Sequence, residues 1–382
     1  MKILCLNPAF SMRAYRQMKA LHNRGHEITL FHMGSGESAR YVDIDFIERE
    51  LQISFGRYPL SHFPGTLAPS RYRKLLEKEL ERGDYDVVHS FSSPDVLGAA
   101  AARYSKVPTV FDERDMVTAF RRDVLKNYIP NGLLSFSPIY KLGLSTIYKR
   151  ILSIEKEANL KSSARVYVSD YTMELARKKH GIPEKRSILF YNYAMKEDIM
   201  EQQTKLSEHD GEVHIVYQGV LSLEGYRRNV LSLLKHIAKM GIHIHIFGIG
   251  SKDVISTYKE PENKIEHYHF EGTLHHDELM REITRYDFGL IPFIPVGTES
   301  EYIHTMMPNK MFDYLASGVP LLVPESKSLG PFVRRTSTGR NFRDVNDIPS
   351  LVSMEPPSFR REDYVIENHI KELEELYRSI QR

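Results

Sequence analysis

Cysteine and tryptophan are what this chain lacks most: its 382 residues contain one cysteine, Cys5, and no tryptophan. A lone thiol excludes an intramolecular disulfide and a cysteine-built metal centre. It favours a reducing compartment, and a cytoplasmic protein is the expectation. No run of about eighteen apolar residues occurs, so no membrane-spanning helix is predicted. The opening MKILCLNPAF is too short an apolar run for a signal peptide and reads as a first strand. After that strand the G-x-G-x-x-G fingerprint is missing, which argues against a dinucleotide site. The histidines of the second half, such as His243, His245, His267, His269, His275 and His276, show neither H-E-x-x-H nor facial-triad spacing. No metal is therefore expected.

What is present describes a globular α/β protein. Hydrophobic residues make up 41% and charged residues 27%, and the length suits roughly two domains with separate cores. The net charge of +2 hides an asymmetry: residues 1–195 hold 30 Lys+Arg against 21 Asp+Glu, and residues 196–382 hold 22 against 29. The two halves can attract each other, or the basic half can meet an anionic partner.

In the first half, Lys2–Asn7, a helical pattern through Tyr15, Met18 and Leu21, and His26–His32 give the strand, helix, strand opening of a doubly wound sheet. Ser11 and Arg13 follow the first strand's carboxyl end, where such sheets bind ligands. Asp84–Ser90 and Thr109–Asp115 are short apolar strands running into polar residues, joined by the small-residue helix Pro94–Tyr104. His89, Asp112, Glu113, Arg114 and Asp115 are expected to gather at one sheet edge. A histidine and carboxylates facing a cleft suit acid/base or sugar-hydroxyl work. Residues 121–161 interleave Arg and Lys with aromatic and aliphatic residues. They read either as basic helices on an anionic membrane surface or as ordinary helices with apolar faces turned inward, with Pro130 and Pro138 interrupting the pattern. Ala164–Ser169 and Ile188–Tyr191 complete the strands, with a helix at Tyr171–His180 between them.

Met195–Glu212 is polar and reads as a linker. Beyond it the alternation restarts: Val213–Gly219, helix Asn229–Met240, His243–Phe247, His267–Phe270, helix Asp277–Tyr286, and Phe288–Phe293. Glycine or a small polar residue closes the strands at Gly219, Gly248 with Gly250, and Gly272 with Thr273. Such residues let a backbone approach a phosphate or a base. Arg227 and Arg228 stand just before the Asn229 helix, where they and the helix start could meet one diphosphate.

MPNKMFDYLASGVPLLVP, Met307–Pro324, is the densest stretch. Asn309 is expected to cap a short helix, with Met311, Phe312 and Leu315 on its apolar side and Lys310 and Asp313 on another. Gly318 and Pro320 stop it ahead of a buried strand at Leu321–Val323. A lysine at a helix start suits phosphate, and a carboxylate one turn further in can take a pair of sugar hydroxyls.

Taken in order, VYQGVL, RRNVLSLL, HIFGIG, HFEGTLHHDEL, DFGLIPF and PNKMFDYLASGVPLL, with DVVHS, VPTVFDERD and ILFYNYA earlier, resemble the retaining glycosyltransferases of family 4. The resemblance covers nearly the whole chain and is concentrated in its second half. It implies the GT-B fold: two facing Rossmann-like domains with parallel sheets and a cleft between them. Residues 1–195 would form the acceptor domain, 196–365 the nucleotide-sugar donor domain, and 366–382 a helix packing back towards the first domain. The implied reaction moves a sugar from a nucleotide-diphospho-sugar, UDP or GDP, to a glycan or lipid-linked hydroxyl, with retention and without a metal or further cofactor. Such an enzyme could sit at the inner face of a membrane through 121–161, and no nucleic-acid partner is implied.

By the resemblance, Asp313 matches the carboxylate that holds the nucleotide ribose and Arg228 the phosphate-binding lysine. Gly219, Gly248, Gly250, Thr273, Asn309 and Lys310 join them as donor contacts. Asp112, Glu113 and His89 become the groups that orient the acceptor. The chain departs from the family's pattern at Thr305, where a glutamate is usual, at Val220, where an arginine is usual, and in lacking the glycine-rich loop after the first strand. Two other readings keep the same architecture: a nucleotide-sugar 2-epimerase or hydrolase, and a non-catalytic nucleotide-sugar binding protein.

Overall fold

The computed structural model describes residues 1–7, 11–32, 43–52, 70–82, 84–91, 96–114, 116, 119, 138–224, 229–295 and 300–381. The chain divides into two compact units, Met1–Tyr191 with His369–Arg382, and Asn192–Asn368.

The first unit alternates strands and helices: β1 (Lys2–Asn7), α1 (Met12–Asn23), β2 (Glu27–His32), β3 (Arg49–Gln52), α2 (Ser70–Arg82), β4 (Val87–Phe91), α3 (Val96–Tyr104), β5 (Thr109–Glu113), α4 (Pro138–Lys161), β6 (Ala164–Tyr167), α5 (Asp170–His180) and β7 (Ser187–Leu189). The seven strands form one sheet in the order β3-β2-β1-β4-β5-β6-β7, and every pairing is parallel. A parallel sheet covered by helices is apolar along whole strands, and the fully buried β4 (VVHSF) and β5 (TVFDE) show this, with their polar residues displaced towards the carboxyl ends. The small residues of α3 let it sit close: a Cβ on Gly98 would fall 2.6 Å from the Phe111 ring. Pro138 does not interrupt a helix. It opens α4, the position where a missing N–H costs nothing. The part of the basic stretch at 121–137 lies outside the described residues.

In the second unit, α6 (Ser207–Asp210), β8 (His214–Val220), α7 (Leu231–Lys239), β9 (His243–Ile249), α8 (Lys252–Lys259), β10 (Tyr268–Gly272), α9 (His276–Ile283), β11 (Phe288–Leu290), α10 (Ser300–Thr305), α11 (Asn309–Ala316), β12 (Leu321–Pro324), α12 (Leu329–Thr336), β13 (Gly339–Phe342) and α13 (Ile348–Val352) follow one another. The sheet runs β10-β9-β8-β11-β12-β13, again parallel at every pairing. Tyr217, Leu234, Ile244, Ile246, Phe288 and Leu322 are among the residues of its core. The polar run expected to be a linker is fastened down instead. Gln202 donates to the Ser317 carbonyl at 2.8 Å, Lys205 donates to the Tyr286 carbonyl, and buried Asp198 meets His276 at 2.7 Å. It has few apolar residues because its anchors are hydrogen bonds to backbone rather than core contacts.

The last helix, α14 (Ile370–Ile380), belongs to the first unit. Glu374 receives Arg24 Nε at 2.7 Å and lies 2.8 Å from His26 Nε2, while Tyr377 reaches His89 beneath the sheet.

Candidate functional site

Parallel strands place their carboxyl ends on one edge, so Gly219 of β8, Gly248 of β9 and Gly272 of β10 share an edge of the second sheet. The amino end of α11 comes to the same edge. Lys310, in its first turn, lays its ammonium 4.2 Å from the centre of the Tyr217 ring and 5.3 Å from that of Phe293. Both rings offer a negative face to the cation. Gly219 makes room for this: a Cβ there would stand 2.6 Å from Lys310 Nζ.

Asp313 sits one turn further along α11 and is buried, with its Oδ2 receiving Gln218 Nε2 at 3.2 Å. Tyr314 holds the same strand end, its hydroxyl accepting the Gln218 backbone N–H at 2.9 Å. That contact depends on Gly289 in β11, because a Cβ there would fall 2.3 Å from the Tyr314 ring. At the other end of the helix Gly318 takes φ +73° and Val319 N–H returns to the Tyr314 carbonyl at 2.9 Å. The expected glycine stop is therefore present.

One expectation for this stretch is corrected. Pro308, at φ −72° and ψ 149°, occupies the cap position, and Asn309 is the first helical residue with no side-chain cap bond. Proline's fixed φ suits that boundary as well as asparagine does. The side chain of Asn309 is thereby released, and its Oδ1 is buried without a hydrogen-bond partner.

Gly248, Gly250 and Thr273 come together beside a cavity of about 150 Å³, which Ile249, Ile255, Phe270 and Gly272 also line. A cavity of about this volume holds a benzene-sized ring. Thr273 Oγ1 donates to the Gly248 carbonyl at 3.0 Å and braces the wall. At the family's two points of departure, Val220 is 41% exposed and Thr305 is buried with its hydroxyl donating to the Tyr302 carbonyl at 2.7 Å. Arg227 and Arg228 lie outside the described residues.

The strand ends of the first unit are built differently. The structure does not bring His89, Asp112 and Glu113 together on an open edge: all three are fully buried, and alternation along β5 sends Asp112 and Glu113 to opposite faces. Asp112 receives Arg13 Nε at 2.9 and 3.0 Å and Gln17 Nε2 at 2.9 Å, with His89 Nε2 at 3.6 Å. Burial would raise its carboxyl, but Arg13 and His89 outweigh that and hold it below the ordinary value. Burial lowers His89, whose Nδ1 meets the Tyr377 hydroxyl at 2.5 Å. On the other face Asn159 Nδ2 donates to Glu113 at 2.5 Å. Ser11 is occupied too, capping α1 by accepting Ala14 N–H at 3.3 Å. Arg114 is partly buried and Asp115 lies outside the described residues.

Sequence reasoning missed Gln218, Tyr217 and Tyr314, which fasten α11 to β8. The only signal was that YQG closes a strand. It also missed a group of histidines on β8, β9 and β10 at the strands' opposite ends, which register across strands creates and spacing along the chain conceals.

Comparison with known proteins agrees with this architecture. The Glycosyltransferase Family 4 model matches residues 11–193, and the Glucosyltransferase 3-like C-terminal domain model matches 227–378. A search of curated protein sequences gives no match. Among solved structures, sucrose-phosphate synthase from Thermosynechococcus elongatus superposes with a TM-score of 0.68 at 11% identity, over 100% of this chain and 99% of its own. The lipopolysaccharide outer core galactosyltransferase WaaB gives 0.63 at 14% identity, over 99% of both chains. Anabaena HepE in complex with UDP-glucose gives 0.58 at 14% identity, over 100% of this chain and 92% of its own. With two parallel α/β sheets of this order, and the two family models together spanning most of its length, the chain belongs to the family 4 glycosyltransferases and has the GT-B fold.

Proposed function

We propose that the protein transfers a sugar from a nucleotide-diphospho-sugar to a hydroxyl of a glycan or lipid-linked glycan, with retention, and that the donor lies on the strand ends of the second unit. The observation that carries this reading is the meeting of Lys310, Gly219, Asn309 and Asp313 at one sheet edge. A diphosphate takes the Lys310 ammonium and N–H groups of the α11 start, and Arg228 adds a second cation. Asp313 accepts from the ribose hydroxyls, with Gln218 holding its carboxylate in place. Asn309 Oδ1, unpartnered and buried, gains a donor when a ligand hydroxyl arrives. A buried acceptor left alone costs about 1–3 kcal/mol, which binding would recover. The cavity at Gly248, Gly250 and Thr273 has the size of a planar ring and receives the base. A structural relative that holds UDP-glucose favours a uridine nucleotide, and the donor is a substrate rather than a cofactor.

As the sugar leaves, negative charge grows on the diphosphate, so Lys310 and the helix start stabilise the transition state more than the bound donor. Thr305, with its hydroxyl turned onto its own helix, supplies no carboxylate at the sugar end. Asp112, Glu113 and His89 are sealed in side-chain networks, so in this structure they act by positioning Arg13 and α4 rather than by touching the acceptor. A front-face reaction in which the leaving phosphate takes the acceptor's proton needs no protein base and fits these facts. The test is a proton NMR assay with UDP- and GDP-sugars and glycan acceptors. Appearance of a glycoside with the donor's anomeric configuration supports the reading. Donor consumed without any acceptor, or nucleotide bound with no turnover under any acceptor, overturns it.

A further inference from the structure

We propose that the second sheet carries a binding site for a zinc-class divalent transition metal, with His214, His243 and His245 as its ligands and Asp210, Glu212 and Glu271 holding their outer nitrogens. His214 opens β8, His243 and His245 lie two apart on β9, and His269 is on β10. The register pairs His214 with His243 and His269 with His245, so four imidazoles share one face of three neighbouring strands. Their rings stack, with centroids 4.4 Å apart for His214 and His243 and 4.4 Å for His245 and His269. The three proposed ligands bring one nitrogen each within 4.8 Å of the others.

What distinguishes the group from a histidine-rich surface is how its nitrogens are used. His214 Nε2 faces Asp210 at 2.9 Å, His243 Nε2 faces Glu212 at 2.6 Å, and His245 Nδ1 faces Glu271 at 2.7 Å. Each ring therefore gives one nitrogen to a carboxylate and turns the other inward, the arrangement that orients imidazoles on metals. Among the described residues the inward nitrogens meet other imidazole nitrogens. His214 Nδ1 lies 2.9 Å from His245 Nε2, and His243 Nδ1 lies 2.8 Å from His269 Nε2.

Proton counting shows that two neutral rings do not complete one chain of these hydrogen bonds. The chain Asp210, His214, His245, Glu271 contains three hydrogen bonds between ionised carboxylates and two rings, so the rings must supply three protons. Two neutral imidazoles carry two. The point between His214 Nδ1 and His245 Nε2 thus calls for a cation, either a third proton or a metal. A neutral ring is the form that binds metal. Tetrahedral zinc with ligands at about 2.0–2.1 Å separates its nitrogens by about 3.3 Å, so the His214–His245 pair needs to open by about 0.4 Å and the His243 nitrogen, within 4.8 Å of the other two, to close by up to about 1.5 Å. His269 or a water can take the fourth position.

The site is remote from the proposed donor site. His214 precedes Gly219 by five residues, about 16 Å along an extended strand. The ion would tie β8 and β9 to the turn that carries Asp210 and Glu212, and it takes no part in sugar transfer. The inference is therefore independent of the proposed function.

The experiment uses the full chain, stripped with a chelator and titrated with zinc chloride in a calorimeter and with cobalt(II) in a spectrophotometer. The expected result is about one equivalent of zinc per chain, a raised melting temperature, and the visible band of tetrahedral cobalt. His245→Gln should abolish binding, Glu271→Gln should weaken it about 10- to 100-fold, and His236→Gln, on an exposed ring bonded to Asn346, should leave it unchanged. Should His245→Gln fail to fold, Glu271→Gln decides the matter from a half-exposed carboxylate. Absence of saturable zinc binding overturns the proposal, as does equal affinity in Glu271→Gln and the native chain. Loss of binding with His267→Gln alone would place the ion on Glu212, His243 and His267 instead and overturn the ligand assignment.

Discussion

The two sheets of this protein are alike in strand direction and helix cover, yet their carboxyl ends are finished in opposite ways. In the first unit the strand ends carry His89, Asp112 and Glu113, and these side chains are buried and bonded to Arg13, Gln17, Tyr377 and Asn159. In the second they carry glycines, which leave the backbone edge open and admit the Lys310 ammonium. A cluster of ionisable residues at a strand end is thus poor evidence of chemistry when its members can satisfy one another. Empty space beside a cation is better evidence.

That contrast can be broken by mutation, and the largest effect belongs to the sealed end. Asp112→Ala leaves Arg13 buried without its carboxylate and should cost about 3–5 kcal/mol in urea unfolding, because an uncompensated buried charge is worse than no pair. Lys310→Ala should do the reverse. It would leave stability nearly unchanged and weaken nucleoside diphosphate binding by about 1.5–3 kcal/mol, the range for hydrogen bonds to charged groups, as read by calorimetry. A stable Asp112→Ala or an unstable Lys310→Ala would erase the distinction between the two edges.

Glu374 tests the terminal helix within the first unit. Arg24, with His26 behind it and against the opposing effect of burial, holds this carboxyl down to about 2. A depressed carboxyl stabilises the fold above its ordinary value near 4.5 and loses that contribution as pH falls towards 2. Acid titration monitored by circular dichroism should show this loss in the native chain, and Glu374→Ala should lack it while costing about 1–2 kcal/mol at neutral pH. The smallest effect is expected from Gly219→Ala. The new Cβ would push aside the end of a flexible lysine, so the loss in nucleotide affinity should be about 0.5–1 kcal/mol, the cost of a displaced rotamer, alongside a loss of stability from a side chain on backbone held at φ +157°.

Strands such as Lys2–Asn7 and Thr109–Glu113 are legible in the sequence because burial on both faces makes them apolar runs. β3 (RELQ) and β13 (GRNF) are not, since edge strands are partly solvated and their residues read as loop. Pro138 was misleading for a related reason: a proline marks a helix start as readily as a break. At the site, Lys310 and Asp313 are visible from their spacing on a helix, whereas Gln218 and Tyr314 depend on which strand α11 meets. His89 finds Tyr377 across 288 residues, and the histidines of β8, β9 and β10 meet only through sheet register. No periodicity along the chain carries that information.

The proposed nucleotide site at the second unit's open edge depends on Asp313. Isothermal titration of UDP into native protein and Asp313→Ala, with circular dichroism confirming the fold of both, should show affinity falling by about 1–3 kcal/mol in the variant. Equal affinity in the two proteins would contradict the assignment of the donor to this edge.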